Sequence, residues 1–155
     1  MKIKNVCLSD VPAWVSLSKE YDKHILEIVP DLTEWYHNDE TALSFDSYMK
    51  AKINKKEAFM AANKENNCCG IVAISKKNNK ITFFAISHKC DFIKAGEFLL
   101  AHALSKLNKN LQITTNIIKS DAEQIQKQYI LFNRHGFAFS FDTLENGVPV
   151  SCFSK

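Results

Sequence analysis

The sequence predicts a mixed α/β domain: a central, mostly antiparallel sheet of about seven strands with helices on both faces. Three observations predict it. Apolar runs at Ala58–Ala62, Cys68–Ser75 and Lys80–Ile86 are separated only by the short polar connectors Asn63–Asn67 and Lys76–Asn79, the signature of an antiparallel meander. A helix-periodic segment, a β-rich run and a second helix-periodic segment follow, which builds in one strand–helix–strand crossover. Glu145-Asn146-Gly147 then joins two further apolar runs, and Asn-Gly between such runs is a strong hairpin signal.

Taken in order, residues 2–8 alternate loosely and read as a short strand. Ser9-Asp10 before Pro12 reads as a helix start, a capping side chain with proline in the first turn. Val11, Trp14, Val15 and Leu17 continue at helical spacing and carry this helix to about Tyr21 or His24. Ile28-Val29-Pro30 marks a break, and Trp35, Tyr36 and His37 read as irregular. Leu43, Phe45, Tyr48, Met49 and Ile53 give a second helix over about 41–55. After the meander, Phe98, Leu99, Leu100, Ala103, Leu104 and Leu107 share one face of a helix over about 95–107. Residues 111–118 read as a strand. Ser120-Asp121 should cap a helix over about 121–135, with Glu123 completing a partial capping box and Gly136 ending it. The closing strands are 137–143 and 148–153.

Length and composition agree with one domain spanning residues 1–155. The 155 residues match a single domain, and 46% hydrophobic residues supply a core. Only four glycines occur, Gly70, Gly96, Gly136 and Gly147, well under the usual ~7%. No G-x-G-x-x-G or Walker loop can be read from them. A net charge of +3 is too mild to imply nucleic acid. The lysines at 50, 52, 55, 56, 76, 77 and 80 read as solvated surface, or else as a basic mouth for an anionic cofactor. The five cysteines are scattered, with no C-x-x-C, so neither a metal site nor a disulfide framework is expected. Reduced, core-type thiols suit the cytoplasm. The N-terminus shows no leader-like apolar run, and no stretch of ~18 apolar residues suggests a membrane span.

Four stretches, in their order and spacing, carry a likeness that covers nearly the whole chain. They are Ile3-Lys4 through Ser9-Asp10-Val11-Pro12, Ile81 to Leu100, Leu131-Phe132-Asn133-Arg134-His135-Gly136-Phe137, and Glu145-Asn146-Gly147-Val148-Pro149-Val150. Together they resemble the GNAT N-acetyltransferase superfamily. The third stretch is similar to that family's F-Y-E-K-L-G-F. The resemblance implies acetyl-CoA as co-substrate and direct acetyl transfer to an amine of a small molecule or peptide. The protein would be a monomer or a homodimer.

The resemblance also implies three sites. The backbone at Ala85-Ile86-Ser87 would hold the pantetheine arm and polarise the thioester carbonyl. The family's phosphate pattern, Q/R-x-x-G-x-G/A, falls on Asp91-Phe92-Ile93-Lys94-Ala95-Gly96, followed by Glu97. Of that pattern only Gly96 matches, while Asp91 and Lys94 depart from it. The amides from Phe92 to Glu97 would still favour an anion. Phe132 takes the position of the family's proton-donating tyrosine. Tyr129, one turn earlier, is either a substitute donor or a packing residue.

For the base, His88 and Glu20 are the candidates, with Asp22, His24 and Glu27 in the same acceptor-binding stretch as Glu20. His88 is otherwise a plain loop histidine. Trp35, Tyr36 and His37 either line an acceptor pocket or cover the core. Cys90, near the cofactor loop, reads as an incidental thiol. The departures at Asp91, Lys94 and Phe132 favour an alternative, a non-catalytic module of the same fold that binds CoA, another ligand or a protein.

Overall fold

A computed structural model describes residues 1–29 and 39–155, with side chains from residue 45 onward in the second stretch. Trp35, Tyr36, His37 and Pro30 lie outside the described residues. The elements run β1 (Lys2–Asn5), a 3-10 turn (Leu8–Asp10), α1 (Val11–Ile28), α2 (Asp39–Asn54), β2 (Ala58–Ala62), β3 (Cys68–Ser75), β4 (Lys80–Ile86), α3 (Phe92–Lys106), β5 (Thr114–Ile118), α4 (Glu123–Arg134), β6 (Ala138–Glu145) and β7 (Val148–Ser154). The seven strands form one sheet in the order β1-β2-β3-β4-β5-β7-β6. Only β4 and β5 pair in parallel, and α3 makes the crossover between them; α4 crosses from β5 to β6, with β7 lying between those two strands. The expected mixed, mostly antiparallel sheet is the observed one.

Two apolar layers cover it. On one face, Leu99, Leu100 and Ala103 of α3 and Ile125, Leu131 and Phe132 of α4 pack over Val72, Ile74, Ile81 and Phe84. On the other, Trp14 and Leu17 of α1 and Met49 of α2 pack over Met60, Ile71, Ala73 and Ala85. Trp14 is fully buried. Its ring meets Phe45, Tyr48 and Phe83 edge-on, with centroids 6.3, 6.1 and 5.7 Å away.

Several boundaries differ from the sequence expectation for local reasons. β1 stops at Asn5 because the following residues wind into the 3-10 turn. Asp10 does not cap α1 with its side chain. Its carboxylate turns back to accept the Cys7 N–H (3.0 Å) and the Lys4 ammonium (3.0 Å). α1 continues to Ile28, past the expected end near His24, since Tyr21 and Ile25 extend its apolar stripe. α3 begins at Phe92, three residues before the expected start, because Asp91 caps it by accepting the Lys94 N–H at 3.1 Å. α4 starts without the expected capping box of Ser120-Asp121 and Glu123. Ser120 Oγ instead accepts the Ala122 N–H (3.1 Å), and the Ser120 carbonyl accepts from Gln126 Nε2 (2.7 Å).

Two turn signals behave as read. Gly136 ends α4 at φ +90°, with the Phe137 N–H bonded to the Phe132 carbonyl, a 6→1 helix closure. Asn146 and Gly147 both have positive φ, 51° and 80°, as the tight β6–β7 hairpin requires.

Two irregularities position the candidate site. The β2–β3 register runs Ala61↔Gly70 and then Ala62↔Cys68, so Cys69 is an extra, bulged residue. The β3–β4 register runs Ala73↔Phe83 and then Ile74↔Ile81, so Thr82 is another. A bulge bends its strand and reverses the side-chain alternation beyond it. That is why Ile81 and Phe84, an odd and an even position, both face the α3–α4 layer.

Candidate active site

β4 and β5 pair only at Lys80↔Thr114 and Ile81↔Thr115. From the Thr82 bulge onward the two strands part. Phe83 and Ala85 pair with Ala73 and Ile71 of β3, and the Ser87 N–H bonds the Cys69 carbonyl at 2.8 Å. Backbone groups alternate sides along a strand. Phe84 and Ile86 therefore turn their N–H and C=O groups toward the opening. An unpaired strand edge in a protein interior needs a partner, and a ligand in this cleft would supply one.

Two adjoining cavities occupy the opening. One, of about 170 Å³, lies between the parted strands and takes in Thr82, Thr115, Asn116, Glu145 and Asn146. The other, of about 240 Å³, lies between α1, the end of β4 and the starts of α3 and α4. It takes in Glu20, His24, Ala85, Ile86, His88 and Phe92. Tyr21 and Gln128 line both and so stand at their junction. The second cavity thus brings together six residues singled out from sequence: Glu20, His24, Ala85, Ile86, His88 and Phe92.

Glu20 and His88 form a defined pair. The Glu20 carboxylate accepts the His88 N–H (3.0 Å), lies 2.9 Å from His88 Nδ1, and takes a longer bond (3.4 Å) from the Ser87 hydroxyl. Desolvation pushes the Glu20 carboxyl up, but the His88 backbone, the His88 ring and Ser87 together hold it below its ordinary value. A carboxyl held down in the folded state adds stability above its ordinary value near 4.5. That stability is lost as pH falls through the lowered value. Glu20→Gln should therefore melt below the parent protein at pH 7, and the gap should close at pH 3; thermal melts at the two pH values test this.

The start of α3 is already partly satisfied. Asp91 Oδ1 takes the Lys94 N–H, and the Asp91 carbonyl takes the Ala95 N–H (3.1 Å). That leaves the amides of Phe92 and Ile93, together with the Lys94 ammonium, for an anion. Gly96 is placed elsewhere. It sits inside α3, where an added Cβ would lie 2.6 Å from Leu131 Cδ2. Its smallness lets α3 and α4 approach each other. Ala95 is fully buried beneath the helix, Ile93 is partly exposed, and Glu97 pairs with His135.

Phe132 and Tyr129 line neither cavity. Phe132 is fully buried between Phe84 and Phe137, with centroids 5.0 and 5.1 Å away. The Tyr129 hydroxyl donates to the Ile118 carbonyl, and its ring lies 5.5 Å from that of Phe153. Among the described residues, the phenol at the cavities is Tyr21, which no family motif marks. Burial pushes it well above the ordinary tyrosine value, against the opposing effect of the Ile118 backbone. It therefore keeps its proton at neutral pH.

Gln128 was also missed. It is 4% exposed on the apolar stripe of α4, with Ile125, Leu131 and Phe132, and its side chain makes no hydrogen bond among the described residues. A glutamine on a helix's apolar stripe is an anomaly readable from sequence. Glu145 and Asn116, joined by a 2.9 Å bond from Asn116 Nδ2, carried no sequence signal beyond the hairpin. Asp22 is pushed up to about 7 by burial, yet it lines neither cavity. Among the described residues, no group of His, Cys, Asp and Glu could hold a metal ion, and no helix is long and apolar enough to cross a membrane.

The parted β4–β5 pair, with the α3 N-terminus beside it, is thus the main opening described in this fold, and comparison with known proteins gives the family. The model of the acetyltransferase (GNAT) domain family matches residues 29–149, well over half the chain, and the protein belongs to that family. No curated protein sequence matches it. Among solved structures, it is similar to an N-acetyltransferase from Staphylococcus aureus Mu50, with TM-score 0.69, 12% identity and 100% of each chain covered. It is also similar to yncA from Salmonella typhimurium with its cofactor acetyl-CoA, with TM-score 0.68, 11% identity, and 99% of this chain and 92% of that one covered. A GNAT acetyltransferase from Bacillus cereus gives TM-score 0.64 at 18% identity, covering 99% of this chain and 95% of that one. At these identities the likeness is one of fold.

Proposed function

We propose that the protein is an acetyl-CoA-dependent acyltransferase that moves an acetyl group directly to an amine of a small molecule or peptide. The observation that carries this reading is the cleft where β4 leaves β5, with Phe84 and Ile86 presenting unpaired backbone edges to it. Those edges fit a pantetheine arm, and the free amides of Phe92 and Ile93 with Lys94 fit its phosphates. Acetyl-CoA, when bound, supplies an activated thioester. The Phe84 and Ile86 N–H groups are the fixed donors for its carbonyl; one such donor is typically worth about 3–4 kcal/mol of barrier.

His88 is the residue we assign to the amine's proton. Glu20 at Nδ1 holds the ring in the tautomer that leaves Nε2 free to accept. The Tyr21 phenol, protonated and at the junction of the cavities, is placed to donate a hydrogen bond to the departing sulfur. Glu145, fixed by Asn116, gives the other cavity a carboxylate suited to a cationic acceptor. Positioning both substrates in the cleft supplies the remaining advantage.

The test is a thermal shift with acetyl-CoA, followed by thiol release across a panel of amines. A shift with release supports transfer, and His88→Ala should then lower kcat by about 10²–10⁴-fold. No shift at millimolar acetyl-CoA overturns the reading.

A second reading, a CoA-binding module without transfer, is favoured by Asp91, whose carboxylate stands where phosphates would approach. A shift without thiol release is its result. Asp91→Ser keeps a capping oxygen but removes the charge. It should tighten acetyl-CoA binding by about tenfold, because a like charge near the helix start opposes the anion. Titration calorimetry measures this, and an unchanged Kd would mean that Asp91 does not face the phosphates.

A further inference from the structure

The loop that joins β4 to α3 returns over β3. The Ser87 N–H bonds the Cys69 carbonyl, and the Cys90 N–H then closes a turn onto the Ser87 carbonyl at 3.1 Å. This turn folds Cys90 back above Cys69. On an unbroken strand, Cys69 would face the α1–α2 layer with Ile71 and Ala73. Because Cys69 is the bulged residue of β3, its thiol instead faces the α3 layer, with Val72 and Ile74. The two sulfurs lie 2.7 Å apart, closer than the ~3.5–4.0 Å at which non-bonded heavy atoms rest. Cys69 is buried at 2% exposure, whereas Cys90 is only partly buried. Cys68, next in sequence, points away and donates weakly to the Gly70 carbonyl at 3.8 Å.

We propose that Cys69 and Cys90 are an oxidisable pair, a site of reversible disulfide formation that ties the turn carrying His88 to β3. Cys90 is the entry point because it is the reachable sulfur, and Cys69 is the resolving thiol because it is shielded. With glutathione disulfide as oxidant, Cys90 Sγ attacks one glutathione sulfur. A mixed disulfide forms, and the first glutathione leaves as its thiolate, which takes up the Cys90 proton. Cys69 Sγ then attacks the Cys90 sulfur, the Cys69–Cys90 bond forms, and the second glutathione leaves with the Cys69 proton. Two electrons pass from the protein thiols to glutathione disulfide. Burial and the neighbouring Cys69 thiol push Cys90 up to about 12, so the thiolate is scarce at neutral pH and the exchange is slow.

The experiment uses the folded, full-length chain equilibrated for hours with glutathione disulfide, then alkylated, digested and mapped by mass spectrometry. The expected result is a Cys69–Cys90 linked peptide that disappears on adding dithiothreitol. The linked protein should also melt about 5–10 °C above the reduced form. Cys90→Ser should give no linked peptide while Cys69 stays protected from alkylation. Glutathione held on Cys90 with no linked peptide, or a Cys68–Cys90 link, would overturn the assignment.

Discussion

Lys52→Met is expected to destabilise the fold by about 3–5 kcal/mol, the usual loss when a buried ion pair is left with one partner. Lys52 reaches from α2 to the start of β2 and the end of β3. Its ammonium donates to Glu57 Oε2 at 3.2 Å and to the Ile74 carbonyl, and it lies 5.7 Å from the Tyr48 ring centroid. Glu57 Oε1 accepts the Lys76 N–H at 2.9 Å. The two side chains are only 11% and 8% exposed, so water cannot replace the lost cation. Urea unfolding of the single variant measures the cost. The double variant Lys52→Met/Glu57→Leu should recover much of it, because neither charge then remains buried alone. A loss under about 1 kcal/mol in the single variant would place this pair with the weak surface pairs.

The second large effect is expected at Gly70. A Cβ there would stand 2.6 Å from Ile86 Cδ1, 2.8 Å from Leu99 Cδ1 and 2.9 Å from the Ala85 carbonyl oxygen. The first two are side-chain tips, but the third is backbone of the neighbouring strand. Gly70→Ala must therefore push β4 outward at Ala85–Ile86, where it borders the cleft. Overpacking of this kind costs about 1–3 kcal/mol, and the acetyl-CoA thermal shift should shrink with it. Gly96→Ala makes the contrast. Its one close neighbour is the flexible tip of Leu131, and alanine regains up to about 1 kcal/mol of helix propensity, so its net cost should be the smaller. Equal Tm losses in the two variants would contradict this account.

Much of the fold was legible because its signals are local. The meander between residues 58 and 86 was readable from apolar runs and short polar connectors. Gly136 and Asn146-Gly147 were readable because positive φ restricts residue choice. Helix starts were read less well. Asp10 and Asp121 look like caps, but a carboxylate can turn toward other donors, and Asp10 does. Asp91 looked like a lost phosphate ligand and proves to be a working cap.

The candidate site was legible only in part. Ala85, Ile86, His88, Phe92 and Glu20 meet at one cavity, although Glu20 is 68 residues from His88 in the chain. Phe132 holds the motif position and Tyr129 lies one turn earlier, yet the packing of α4 turns both away from the cavities. Tyr21 and Gln128 line both cavities instead. Neither belongs to a motif, since each reaches the site through its helix's orientation.

Periodicity and turn chemistry act within a few residues, and so the chain's own pattern was enough for the order of elements, the α3 crossover and the mixed sheet. Long-range packing set where β4 leaves β5, which described phenol meets the cavities and which two of the five cysteines touch. The parting of the strands and the cysteine contact follow from the bulges at Thr82 and Cys69, and the position of Tyr21 from the orientation of α1. A one-residue register shift reverses which face a side chain meets.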